Sequence, residues 1–111
     1  MICDPGDVVV VPFPFSDLPV AKPRPALVIS PTALNETGGT TLLAMITTAA
    51  GGLRSDDTAL NDLQAAGLKM ACVLRLKLFT LDNRLIAKRV GRLSDNDRKA
   101  ARRAVGALIA L

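Results

Sequence analysis

Gly6-Asp7-Val8-Val9-Val10-Val11-Pro12-Phe13-Pro14-Phe15-Ser16-Asp17, with Lys22-Pro23-Arg24-Pro25-Ala26-Leu27-Val28-Ile29-Ser30 close behind, reads as two strands joined by a polar turn. An unbroken β-branched run offers water no polar face, so Asp7 to Val11 is expected as a strand buried on both sides. Pro12 and Pro14 bring no ladder donor and are expected to end regular pairing. Residues 26–30 repeat the apolar run as a second strand. The turn delivers Arg24 between Pro23 and Pro25. Each proline fixes its own φ near about −65° and holds the residue before it extended, so the guanidinium springs from a stiffened backbone. That planar, permanently charged group matches phosphate oxygens two at a time, and stiff presentation lowers the ordering cost of binding. The plain alternative is a surface arginine paired with Asp17 across the turn.

Outward from this hairpin, Asn35 to Gly39 reads as a glycine-containing loop and Thr41 to Thr47 as a third strand. Ala49 to Asp57, with two adjacent glycines, one arginine and two aspartates, is too polar for core and reads as a mobile loop. A short helix over Asn61 to Ala66 is stopped by Gly67. Ala71 to Leu76 and Leu78 to Leu81 read as two short strands, Asp82-Asn83 as a turn, and Arg84 to Val90 as a further strand. Ser94 with Asp97 three residues on resembles a capping box, and Ala101, Val105, Leu108 and Ile109 follow at helical spacing. The pattern predicts an α+β, mainly β fold: a small half-open antiparallel barrel with a short internal helix and a C-terminal helix.

A chain of 111 residues, half of them apolar, suits one domain spanning residues 1–111. No apolar run approaches the roughly 20 residues that cross a bilayer. The N-terminal residues, with Asp4 and Asp7 and no base, do not resemble a secretory signal, so a cytoplasmic location without membrane contact is expected. Cys3 and Cys72 are too few for a disulfide framework or a zinc site and read as free thiols. Charge is uneven: residues 1–57 hold six acids and three bases, whereas residues 58–111 hold four acids and eleven bases. A basic half of this size suits a polyanion or an acidic protein, or is simply a solvated face.

The chain has no histidine. That removes the usual acid or base near neutral pH and every Ser-His or Cys-His nucleophile. The scattered acids, with Asp56-Asp57 read as solvated loop residues, give no metal site, and no glycine-rich phosphate loop is present, so no cofactor is expected. What remains is electrostatic chemistry on a phosphate, in which fixed donors face oxygens whose charge rises in the transition state. Thr47 and Thr48, at the end of the third strand, are candidate hydroxyl donors beside Arg24; their bland role is strand packing. Phe13, Phe15 and Phe79 are the only aromatics, and core burial is expected for each.

The opening stretch and Arg24-Pro25-Ala26-Leu27-Val28-Ile29-Ser30 resemble the PemK/MazF family of toxin endoribonucleases. The similarity continues through Ile46-Thr47-Thr48, Asp57-Thr58-Ala59-Leu60 to Ala66-Gly67-Leu68, and Leu78-Phe79-Thr80-Leu81-Asp82 to Val90-Gly91-Arg92-Leu93-Ser94. The resemblance implies a homodimer of half-open barrels that cleaves single-stranded RNA without metal at short motifs and is neutralised by an acidic antitoxin. It implies Arg24 and Thr47 as catalytic residues, with Thr48, Arg75, Lys77, Lys22 and Phe15 contacting RNA. The 2′-hydroxyl would attack its own phosphate and leave a cyclic phosphate and a free 5′-hydroxyl. Some members carry an acid two residues beyond the arginine that matches Arg75, where this chain has Lys77. Two other readings remain: a gyrase-poisoning toxin of the same fold, similar to CcdB, which would need no phosphate-directed Arg24, and a catalytically silent RNA-binding protein.

Overall fold

The computed structural model describes residues 1–13 and 22–111. The expected turn, with Phe15 and the Asp17 pairing of Arg24, lies outside the described residues. The strands are β1 (Asp7–Phe13), β2 (Lys22–Val28), β3 (Thr40–Thr48), β4 (Thr58–Ala59), β5 (Cys72–Asp82) and β6 (Lys88–Arg92). The helices are α1 (Thr32–Gly38), α2 (Leu63–Ala66) and α3 (Asp95–Leu108). One antiparallel sheet runs in the order β4-β5-β3-β2-β1-β6 and curls into a half-barrel, with β4 and β6 left as unjoined edges.

The two-sided burial expected of the β-branched run is present. Val8 joins Leu27, Ala44, Ile46 and Leu74 on one face, which Ala66 of α2 and Ala101 of α3 complete. Val9 and Val11 join Ala26, Val28 and Leu43 on the other, beside Cys3 and Ile86. Both cysteines are free and buried, and burial pushes both thiols up from their ordinary pKa.

The prolines do not end the first hairpin where the sequence suggested. β1 continues through Pro12, which lies opposite Pro23, to Phe13 opposite Lys22. Neither proline can donate, so their rung is one whose backbone groups point away from the partner strand. Among the described residues no third strand reaches that far: β6 pairing stops at Val10 with Lys88, and β3 pairing stops at Ala26 with Met45. The missing donors are therefore never called upon, and the hairpin lengthens at the sheet's corner.

Three further elements differ from expectation. Thr32–Gly38 is a helix where a loop was read. Its anchor is tertiary: the buried Asn35 side chain donates to the Cys3 and Ser30 carbonyls and accepts from Ser30 Oγ. The two strands read around Lys77 are one, β5, in which Met45 faces Arg75 but Ala44 faces Leu78. Leu76 and Lys77 are thus extra residues in a bulge, and the polar break in the pattern marks that bulge rather than a strand end. The expected strand from Arg84 begins only at Lys88, because Asn83–Leu85 forms a single 3₁₀ turn.

The short helix is stopped by Gly67 at φ 71°, as expected. A Cβ there would lie 2.1 Å from the Val90 carbonyl oxygen, so the glycine also permits α2 to dock on β6. At the start of α3, Ser94 Oγ accepts from Asp97 N at 3.2 Å. The reciprocal half of the capping box is absent: the fully buried Asp97 carboxylate accepts instead from Asn61 N (3.0 Å) and Asp62 N (2.8 Å), tying the loop before α2 to α3. Ala101 faces the core, whereas Leu108 is exposed and Ile109 lies beyond the helix end.

Replacing Asp97 by Ala strands two backbone donors and is expected to lower the unfolding free energy by about 2 kcal/mol. Urea denaturation measures it; a loss under about 0.5 kcal/mol, the range of ordinary surface changes, would show that this carboxylate does not hold the loop.

Candidate functional site

Arg24 lies within β2, opposite Val11, and is exposed. It is a strand residue rather than the turn residue that the sequence suggested, because the hairpin ladder runs on past the prolines. The register of β2 on β3 sets Ala26 against Met45. Carried two residues further, that register brings Arg24 level with Thr47 on the same face of the sheet. Both line one cleft of about 270 Å³, with Thr48, Phe13, Met45 and Phe79. The arginine and hydroxyls singled out in the sequence therefore share one concave surface, at the corner where β2 outruns β3 pairing. No ion pair to Arg24 forms among the described residues.

The aromatics behave differently from expectation. Phe79 is half-buried against the second apolar cluster, but Phe13 is 38% exposed and forms a wall of the cleft. Its strand runs past the end of the described β6 pairing, which stops at Val10. Lys22, paired with Phe13, is exposed beside the cleft. Phe15 lies outside the described residues. Lys77 is exposed on the β5 bulge and lines neither this cleft nor the hollow beside it.

That second hollow, of about 310 Å³, shares Thr47 and Thr48 and is completed by the Gly51–Arg54 segment and Arg75. Arg75 is fixed by a residue that the sequence reading left in solvent. Its Nε donates to Asp57 Oδ1 at 3.0 Å and its Nη2 to Asp57 Oδ2 at 2.9 Å, a two-pronged ion pair. Arg54 N donates to the same Oδ2 at 2.8 Å. The Asp57 side chain has no solvent exposure and that of Arg75 is 15% exposed. The hydrogen bonds from Arg75 lead in holding the Asp57 carboxyl down to about 2. A signal for this pair was present: Arg75 directly follows the buried run Cys72 to Leu74, and a cation set against buried apolar residues requires a partner.

The basic excess of residues 58–111 is not gathered at this site. Arg98, Lys99, Arg102 and Arg103 ride on α3, whose Ala101 packs into the cluster on the opposite face of the sheet. Among the described residues no three His, Cys, Asp or Glu side chains come together as a metal site. No helix among the described residues is long and apolar enough to cross a membrane.

Comparison with known proteins gives a consistent picture. A family model described as PemK-like, MazF-like toxin of type II toxin-antitoxin system matches residues 4–109. Among solved structures, a MazE-MazF crystal structure from Deinococcus radiodurans is similar at 24% identity, with a TM-score of 0.76 over 97% of this chain and 96% of that one. An endoribonuclease in complex with its cognate antitoxin from Mycobacterial species is similar at 17% identity and a TM-score of 0.72, covering 95% of this chain and 92% of that one. Mycobacterium tuberculosis toxin MazF-mt6 is similar at 18% identity and a TM-score of 0.71, covering 91% and 93%. No curated protein matches.

The low pKa of Asp57 sets a pH window for the pair with Arg75. A carboxyl whose folded-state pKa lies below its ordinary 3.8 contributes stability above that ordinary value and loses it as pH falls through about 2. Asp57→Asn is therefore expected to be less stable than the wild type from pH 5 to 8, with the gap closing between pH 4 and 2. Urea unfolding across that range reads it; a gap independent of pH would show that the carboxylate charge contributes nothing.

Proposed function

Since this chain belongs to the PemK-like, MazF-like toxins of type II toxin-antitoxin systems, which are generally endoribonucleases, we propose that it is a metal-independent endoribonuclease cutting single-stranded RNA at a short sequence motif. The observation that carries this reading is the shared cleft of Arg24, Thr47 and Thr48 at the open corner of the sheet.

The chemistry suits those groups. As the ribose 2′-oxygen bonds to phosphorus, negative charge builds on the non-bridging oxygens. The Arg24 guanidinium can meet two of them at once, and its permanent charge needs no proton adjustment. Thr47 offers a hydroxyl from a strand end, level with Arg24, to hold the same phosphate. Fixed donors of this kind lower the barrier because they are already oriented when the charge appears. The bond to the 5′-oxygen then breaks, leaving a 2′,3′-cyclic phosphate, while the proton lost by the 2′-hydroxyl is balanced by one gained at the leaving 5′-oxygen. Phe13, on the wall of the cleft, offers a face on which a base can stack. The same reading carries a second copy of the chain and an acidic antitoxin as partners, within the cytoplasm; the solved MazE-MazF complexes and the basic α3 support it.

Arg24→Ala is expected to slow cleavage of a mixed single-stranded RNA ladder in EDTA by about 100-fold or more, with Thr47→Ala intermediate and Thr47→Ser close to wild type. Gel analysis with circular dichroism as a fold control reads this. Cutting by Arg24→Ala at the wild-type rate would remove that residue from the mechanism, and equal cutting of DNA would exclude attack by a 2′-hydroxyl.

A further inference from the structure

The Asp57 carboxylate binds three donors from two separate parts of the chain: Nε and Nη2 of Arg75 on β5, and the backbone N–H of Arg54 in the segment after β3. It thereby closes residues 54–57 into a wall and sets the side chains of Arg54 and Arg75 around one hollow. A guanidinium has five N–H donors. Asp57 takes two of Arg75's, both on one edge, and leaves three for the side facing away from the carboxylate. Arg54 is exposed on the same hollow; its backbone N–H bonds to Asp57 and its charge helps to hold that carboxyl down, but its guanidinium forms no close ion pair with it. Thr47 and Thr48 line both this hollow and the Arg24 cleft, so the two concavities adjoin.

We propose that Asp57 is a positioning residue that assembles Arg54 and Arg75 into a second phosphate subsite, which takes the RNA phosphate neighbouring the one at Arg24. The inference rests on the endoribonuclease reading for its ligand. The subsite holds the strand in register while Arg24 and Thr47 act on the scissile link. Asp57 is support rather than competitor. Its side chain is wholly covered and pinned by a backbone donor, so withdrawing it from Arg75 would leave a buried carboxylate short of partners.

The two roles give opposite signs on substitution, and counter-ion release separates them. On a single strand, each phosphate contact adds about 0.7 to the slope of log affinity against log salt. Fluorescence anisotropy with a labelled 2′-O-methyl RNA decamer pool of mixed sequence, which cannot be cut by 2′-hydroxyl attack, measures that slope. Asp57→Asn is expected to bind more weakly, with a slope shallower by about 0.7. Arg75→Ala is expected to match it, the double variant to lose nothing more, and Arg54→Ala, at an exposed position that leaves the fold intact, to flatten the slope as well. A purely structural Asp57 would lower the melting temperature and leave the slope alone. Wild-type slopes in Asp57→Asn and Arg54→Ala, or tighter binding by Asp57→Asn, would overturn the proposal. RNA cleavage by the wild type is scored separately. Cutting without the slope change sinks the subsite alone, whereas the slope change without cutting sinks the nuclease reading and leaves the subsite standing.

Discussion

Burial of the first three strands on both faces is the constraint from which the rest follows. A run such as Val8 to Val11 alternates its side chains between two apolar clusters, so each face of the sheet needs cover. Helices α2 and α3 supply it on one side. On the other, Cys3 and Ile86 cover the second cluster only part of the way along. At the proline-rich corner the third strands stop, because Pro12, Pro23 and Pro25 have no N–H to donate to a continuing ladder. Strand ends without cover leave a concavity. The cleft containing Arg24, Thr47 and Phe13 is thus the geometric remainder of a sheet whose burial runs out where its backbone donors do.

A second arrangement governs the far side of that concavity. The chain leaves β3 through a short 3₁₀ turn, Ala49–Gly51, and returns to the sheet at Thr58. This segment carries little apolar area with which to fasten itself. One carboxylate replaces that area: Asp57 bonds back to Arg54 and across to Arg75. The same interaction that makes Arg75 tolerable next to the buried Cys72 to Leu74 therefore gives the segment a fixed position. Packing and site geometry are joined here through one ion pair, with Thr47 and Thr48 as the shared boundary of the two hollows.

Much of this was legible in the residues. The β-branched run, Thr41 to Thr47, the Gly67 stop and the Ser94 cap each carry a local physical cause, and each forms the element it implies. The pairing of Arg24 with Thr47 came from a family pattern, and the strand register then gave it a geometric basis. What was missed depends on contacts distant in the chain. Helix α1 is only seven residues long, mixes Thr32, Asn35 and Thr37 with its better helix formers and ends in glycines, and it is held by Asn35 bonding to Cys3, 32 residues away. The bulge at Lys77 exists because β5 must stay in register with β3 on both sides of it. Asp57 looked solvated because its partner lies 18 residues on, in a strand. The place of Phe13 on the cleft wall depends on how far β1 runs past the β6 pairing, which its own neighbours do not encode.

These positions also bear on how a proton could move in the cleft. A carboxylate with a pKa of about 2 binds protons too weakly to serve as a general base near neutral pH, and Asp57 has both oxygens occupied by donors. Lys77 lines neither hollow. The chain has no histidine. The described walls of the cleft and the adjoining hollow thus hold three arginines, hydroxyls and aromatic rings, a set fitted to binding charge rather than to taking up protons. On the proposed reading, rate enhancement comes from orienting the ribose phosphate and stabilising the charge that builds on it. Residues that fix the strand's position then matter as much as the group touching the scissile phosphate, because a small misplacement of the attacking oxygen removes much of the advantage that orientation confers.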